Sequence, residues 1–209
     1  MKKILILMVM VIVALGAEAR TVRDFFVDEP NRLFMLLPRT TRLDMLDYYD
    51  SGQLVTRSNN LGDGSQMIKV DGNFMHVRMS ASKTVQMLLI PDRKDSVIVV
   101  IETLETPVKD SHISFYDTQW RKLVNKYFTM PGLDAFFKKE VDKKQRAELL
   151  DAIPFPLVSL TMEGDDYTTI VARHGLKEFL VAEEYAPYEK AMVPSLTYTT
   201  KSRFWKLKK

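Results

Sequence analysis

The chain has 209 residues, 30 basic and 27 acidic side chains, a formal charge of +3 and no cysteine. That length suits one domain or two small ones. The missing thiols exclude a disulfide framework, thiolate catalysis, cysteine-ligated zinc and a lipid-modified cysteine, and the near-balance of charge gives no strongly basic face for nucleic acid.

Lys2 and Lys3 precede an uncharged run from Ile4 to Leu15, and Ala17-Glu18-Ala19 follows. A charged start, a short apolar stretch and a small-x-small site are the parts of a secretory signal peptide, so residues 1–19 are expected to be removed and the mature chain to begin at Arg20. The alternative, a retained anchor, would need roughly 20 apolar residues to cross the hydrocarbon core, and this run is shorter. Loss of Lys2, Lys3 and Glu18 lowers the formal charge from +3 to +2. Export without an anchor, from a chain that starts Met-Lys-Lys, points to a bacterial periplasm or exterior. No later stretch approaches spanning length, so the mature chain is expected to carry no integral membrane span.

Thr21 is placed to cap a short helix through Val27, and Pro30 suits the first turn of a second over residues 31–37, which Pro38 closes. Thr40 or Thr41 then caps a helix whose stripe is Leu43, Met45, Leu46 and Tyr49, stopping near Gly52. From Leu54 the apolar period changes to 2: Ile68 and Val70 alternate with Lys69 and Asp71, and Met75, Val77 and Met79 with His76 and Arg78. Asp71-Gly72 reads as the hairpin turn between them. Val85, Met87 and Leu89 face inward on the next strand, residues 91–96 turn it, 97–102 return, and 113–120 add a further strand. The result is an antiparallel meander.

Residues 123–130 connect to the break Pro131-Gly132. A helix over 142–153 follows, ended by Pro154 and Pro156. Strands are expected over 157–162, 167–173, 178–182 and 195–207, with turns at Gly164-Asp165-Asp166 and His174-Gly175. Arg42-Leu43-Asp44-Met45-Leu46-Asp47 returns as Arg146-Ala147-Glu148-Leu149-Leu150-Asp151, each after a paired-phenylalanine segment, Arg23-Asp24-Phe25-Phe26 and Asp134-Ala135-Phe136-Phe137. Each copy also leads to a Trp-basic-Leu ending, at Trp120 and Trp205. Either one unit is used twice, or two amphipathic helices share ordinary patterning. The expected fold is α+β, as two tandem helix-plus-antiparallel-sheet repeats: a first unit at 20–130 and a second at 131–209.

Chemistry is thinly marked. His76, His112 and His174 match no metal or triad spacing, and Leu61-Gly62-Asp63-Gly64 is only a turn, so no catalytic residue, metal or cofactor is expected. Glu102, Glu105, Asp165, Asp166, Glu183 and Glu184 lie near strand ends. A glycosidase would need two such carboxyls facing one sugar, although strand-end charges more commonly keep edges unpaired. Nine methionines remain after residue 19, and Met75, Met79 and Met87 fall on inward strand positions as packing residues. Tyr116 and Trp120 share strand parity and Trp205 recurs in the second half, so these three aromatics are the candidate binding residues, with burial at a seam the competing reading. The basic, aromatic stretch 201–209 suits a last strand better than a membrane surface, because alternation alone explains it.

The signal peptide, the Leu-Asp-Met-Leu-Asp-Tyr-Tyr helix at 43–49, the Asn59-Asn60-Leu61-Gly62-Asp63-Gly64 turn and Phe115-Tyr116-Asp117-Thr118-Gln119-Trp120 together resemble an uncharacterised secreted family of Bacteroidales, domain of unknown function 3256. The resemblance spans essentially the whole mature chain and implies no activity. The order of elements also resembles the layout of β-lactamase inhibitor protein, whose two repeats form a concave sheet that grips a partner; that likeness is of layout alone. Asp95-Ser96-Val97 resembles the short Asp-Ser/Thr-apolar motif that Bacteroidales use for O-glycosylation of exported proteins, in an expected turn. The expected function is a non-enzymatic binding or interaction module with an envelope or periplasmic protein partner, the alternative a periplasmic glycan hydrolase.

Overall fold

A computed structural model describes residues 20–30, 32–53, 55–62, 64–92, 95–105, 107–153, 155, 157–200 and 204–208. The expected signal peptide and the two prolines expected to end the second-half helix lie outside them. Two short helices, α1 (Val22–Asp28) and α2 (Arg39–Asp50), open the described chain. Six strands follow: β1 (Arg57–Ser58), β2 (Gly64–Asp71), β3 (Phe74–Ser80), β4 (Lys83–Asp92), β5 (Asp95–Leu104) and β6 (Asp110–Tyr116). They form an antiparallel meander in simple chain order. After a 3-10 turn at Leu133–Phe136 come α3 (Lys143–Asp151), β7 (Val158–Glu163), β8 (Thr169–His174), α4 (Leu176–Phe179), α5 (Ala182–Ala191), β9 (Ser195–Thr199) and β10 (Lys206–Leu207). The second sheet has the order β10-β9-β8-β7. The class is α+β.

Local chemistry accounts for most element ends. Thr21 and Asp24 close a capping box on α1, each satisfying the other's backbone N–H. Residues 32–37 form turns rather than the expected helix, because the buried Glu29 carboxylate collects the N–H groups of Arg32, Leu33 and Phe34 itself. Asp71 pairs with Phe74, so the β2–β3 hairpin turns at Gly72-Asn73, one residue later than expected. Only Gly72 there has positive φ, as a type II′ turn requires. The strand expected over 178–182 is instead the end of α4 and the start of α5. Leu180 and Val181 alone leave the helical path, too short an apolar run to hold a strand against its acidic, helix-favouring neighbours.

The first sheet buries both faces. Met75, Val77, Met79, Val85, Met87, Leu89, Ile98 and Val100 point to one side, where α1 and α2 cover them with Phe25, Phe26, Met45 and Leu46. Phe74, Leu88, Ile90, Val97, Val99, Ile101, Ile113 and Phe115 point to the other, where residues of the second half cover them. Strand alternation makes this possible, since successive side chains leave on opposite faces. One continuous core therefore joins Val99 and Ile101 to Leu160, Ile170, Ala172, Leu176 and Tyr198 across the Pro131-Gly132 break.

The two helices of the sequence repeat hold unlike places. In α2 the buried stripe is Arg42, Met45 and Leu46, while Leu43, expected inside, is exposed. In α3 no residue is fully buried, and Leu149 and Leu150 only lean on the edge of the core. The first copy covers a six-stranded sheet, whereas the second belongs to a four-stranded one interrupted by two helices.

Candidate functional site

The edge strand β7 positions a cleft between the two sheets. Its N–H groups at Val158, Leu160 and Met162 donate to Asp110 Oδ1, Ser111 Oγ and Gln86 Oε1 at 3.3, 2.9 and 2.9 Å. A free strand edge is thus paired to side chains that rise from the face of the first sheet, in place of another strand. Since Ser111 is on β6 and Gln86 on β4, β7 runs across the strands beneath it, and the second sheet stands on the first. At the far end Tyr167, with φ 57°, stacks on Phe74 at 3.9 Å and donates its hydroxyl to Asp71 at 2.7 Å.

On one side of that line the face is apolar and closed; on the other it is polar and open. Along β3 the outward residues change from Phe74 to His76 and Arg78, along β4 from Leu88 to Gln86 and Thr84, along β5 from Ile101 to Thr103, and along β6 from Ile113 to Ser111. This polar end is the floor of a corner cleft of about 390 Å³. The outer face of the second sheet, with Ser159, Thr161 and Arg173, is its wall, and the β5–β6 loop with Glu105 and Lys109 is its rim. Gly175 lets the loop approach closely, because a Cβ there would collide with Val108.

Glu105, Lys109 and Arg173 of the cleft are engaged in ion pairs, and Glu178 stands at its end. Glu105 accepts from Thr84 Oγ1 at 2.9 Å and pairs with Lys109 Nζ at 2.9 Å. Burial pushes its carboxyl up, but the hydrogen bonds from Lys109 and Thr84 and the positive charge of Lys109 outweigh that and hold it below the usual range. Arg173 pairs with Glu163 at 2.9 Å. Burial lowers the His76 imidazole, and Glu105 only partly offsets this against Arg78 and Lys109. His174 is buried at the end of β8 beside Phe136, and burial lowers its imidazole against the opposing influence of the Val193 backbone and Glu178. Its Nδ1 has no hydrogen-bond partner.

The structure does not bring the three candidate aromatics together. Trp120 is 5 % exposed and packs with the helix-side core, its ring 5.4 Å from a half-buried Tyr116. Trp205 is 7 % exposed on the opposite side of the first sheet, donating Nε1–H to the Thr168 carbonyl and packing near Phe115. Both indoles fill seams, where a large ring removes more apolar surface from water than any other side chain. The strand-end carboxylates are also dispersed. Glu102 pairs with Lys83 on the helix side, Asp165 and Asp166 are exposed at the β7–β8 turn, Glu183 and Glu184 lie in the first turn of α5, and only Glu105 of the six lines the cleft. Among the described residues no three histidines, aspartates or glutamates are grouped to hold a metal, and no helix is long and apolar enough to cross a membrane. Ser96 sits half-buried in the β4–β5 ladder opposite Pro91, rather than at the turn. The cleft residues Thr84, Gln86 and Thr103 escaped the sequence reading, which weighed His76 only as a metal or triad residue, although their signal was present in it: four strands exchange apolar for polar residues on one face at the same level.

No curated protein matches the chain. A domain of an uncharacterized protein from Porphyromonas gingivalis W83 is similar in fold, with a TM-score of 0.78 and 22 % identity over 91 % of this chain and all of that one. The family model described as protein of unknown function (DUF3256) matches residues 14–204. With that span covering the first sheet, every strand of the second but β10 and the cleft between them, the chain belongs to the DUF3256 family.

Proposed function

We propose that the protein is an exported, non-enzymatic binding module of the cell envelope, with the corner cleft as its site and an envelope or periplasmic protein as its partner. The observation that carries the reading is the change from apolar to polar residues on the outward face of β3, β4, β5 and β6 where the second sheet stops covering it. A concave face with several convergent polar groups can orient a ligand, and its volume lies in the range of small-ligand pockets. Export rests on the leader-like residues 1–19.

Glycan hydrolysis draws less support. An acid for that reaction needs a carboxyl with a raised pKa facing a second one, whereas Glu105 is held low by Lys109 and Thr84. The expected resemblance to the layout of β-lactamase inhibitor protein lends no support, since α3 does not cover a sheet face as α2 does.

A photo-crosslinking residue at Lys109, on the rim, should capture a partner from envelope fractions, while the same group at Glu148 on exposed α3 should not. Equal labelling from both positions would remove the cleft from consideration. Mass analysis of the native protein tests export: a mature species that retains Lys2 and Lys3 contradicts cleavage at Ala19.

A further inference from the structure

The cleft and the surface at its end differ in chemistry, and the difference selects a ligand class. Within the cleft the rim and wall cations are already countered, Lys109 by Glu105 and Arg173 by Glu163. A small anion therefore finds little unbalanced positive charge to attract it. Among the described residues the rings that line the cleft are the imidazoles of His76 and His174, so a pyranose meets no large flat platform there. What remains is a set of neutral hydrogen-bonding groups at short intervals, among them Thr84, Gln86, Ser159 and Thr161, with Leu160 and Val108 between them.

At the end closed by Gly175 and Glu178 the surface becomes apolar. Gly175 N–H donates to the Leu157 carbonyl at 2.9 Å, which holds Leu157 beside the start of α4. Phe155 and Phe179 meet edge to face at 5.4 Å, yet remain 45 % and 43 % exposed, and Val181, which follows Phe179 after Leu180, is 61 % exposed. Aromatic pairs are ordinarily buried for their area, and one left open beside a polar cleft has the composition of a protein-recognition hot spot.

We propose that the cleft binds an extended, uncharged peptide segment of a partner protein, its backbone amides bonded to the hydroxyl and amide side chains and one apolar side chain resting on the Phe155–Phe179 pair. An extended chain presents amide groups at about 3.3 Å per residue and side chains to alternate sides, which matches a polar trough ending at an apolar shelf. This rests on the reading of the cleft as the binding site.

The test is to pan the purified protein against a phage-displayed library of random dodecapeptides, resynthesise the binders, and titrate them by NMR. Thr161→Arg, which fills the cleft from the wall, and Phe179→Ser, which alters only an exposed ring, should each weaken binding at least tenfold. Both variants should retain wild-type shifts for the core beneath α1 and α2, and Phe179→Ser carries the test alone should Thr161→Arg fold poorly. Recovery of no binder, or binders indifferent to both substitutions, overturns the proposal. If N-acetylchitohexaose moves the Gln86 and Thr161 resonances while no peptide does, the peptide class is wrong and the cleft stands as a site. If crosslinking from Lys109 also proves non-specific, the cleft falls as well.

Discussion

Arg42 and Arg146 hold the same position in the two copies of the helix hexad, and they are wired alike. Arg42 donates to the carbonyls of Phe26 and Glu29 and lies 6.0 Å from the Phe34 ring; Arg146 donates to those of Lys138 and Val141 and lies 5.4 Å from Phe137. Yet Arg42 is 1 % exposed beside an equally buried Glu29, whereas Arg146 is half-buried. The helix sequence writes the local tie between a guanidinium and the carbonyls of the preceding aromatic segment. What lies beneath decides the rest: α2 closes a methionine-rich sheet face, and α3 rests at the margin of a core already closed by the second sheet.

Several substitutions would break or sharpen that contrast. Arg42→Ala strands a buried carboxylate and two carbonyls, and should cost about 3–5 kcal/mol in urea denaturation. Arg146→Ala, at the equivalent position, should lose only about 0.5–1.5 kcal/mol, the worth of ordinary hydrogen bonds; equal losses would mean that burial is not what separates the copies. Between the two stands Gln86→Leu, which leaves the Met162 N–H without its acceptor. It should cost about 1–3 kcal/mol and speed hydrogen exchange at Met162 while leaving α1 and α2 protected, so that faster exchange in the helices would show the two faces to be coupled.

Smaller effects are expected at the seam. Tyr167→Phe keeps the stack on Phe74 but removes the hydroxyl bond to Asp71, and should lower stability by less than about 1 kcal/mol. The mildest is a dependence on pH. The folded-state imidazoles of His76 and His174 lie below the ordinary 6.5, so the unfolded chain takes up protons first. Their contribution is full above about pH 6.5 and is lost as pH falls through the folded-state values. Melting temperatures measured from pH 7.5 down to 5 should decline, and His174→Phe, which keeps the contact with Phe136, should flatten the decline. An unchanged slope in that variant would remove His174 as a source.

Period-2 alternation made β2, β3 and β4 legible, and the inward positions of Met75, Met79 and Met87 with them, because a strand with one covered face must alternate. The same rule hid the second covered face: Val97 to Ile101 is a continuous apolar run, which marks burial on both sides without saying what lies on each. Leu43 was misplaced because the stripe was read from apolar residues alone, and the true stripe contains an arginine with its own acceptors. The strand expected over 178–182 failed for want of long-range information, since nothing local says that β8 and β9 pair across two intervening helices. Tyr116, Trp120 and Trp205 were joined by parity and position, but parity cannot say on which face of which sheet a ring lies.

The seating of β7 also has a temporal meaning. Its three ties reach back to residues 48, 49 and 76 positions earlier in the chain, and none of their acceptors stands in place until β4 and β6 have joined the meander. Loop closure over such distances is slow and is rewarded only once the far partner is formed. A chain that emerges amino-terminus first can complete α1, α2 and the six-stranded sheet while the rest is still being made. The second sheet then has a template waiting, and its one long edge strand is covered as soon as it forms rather than left to find the edge of another molecule.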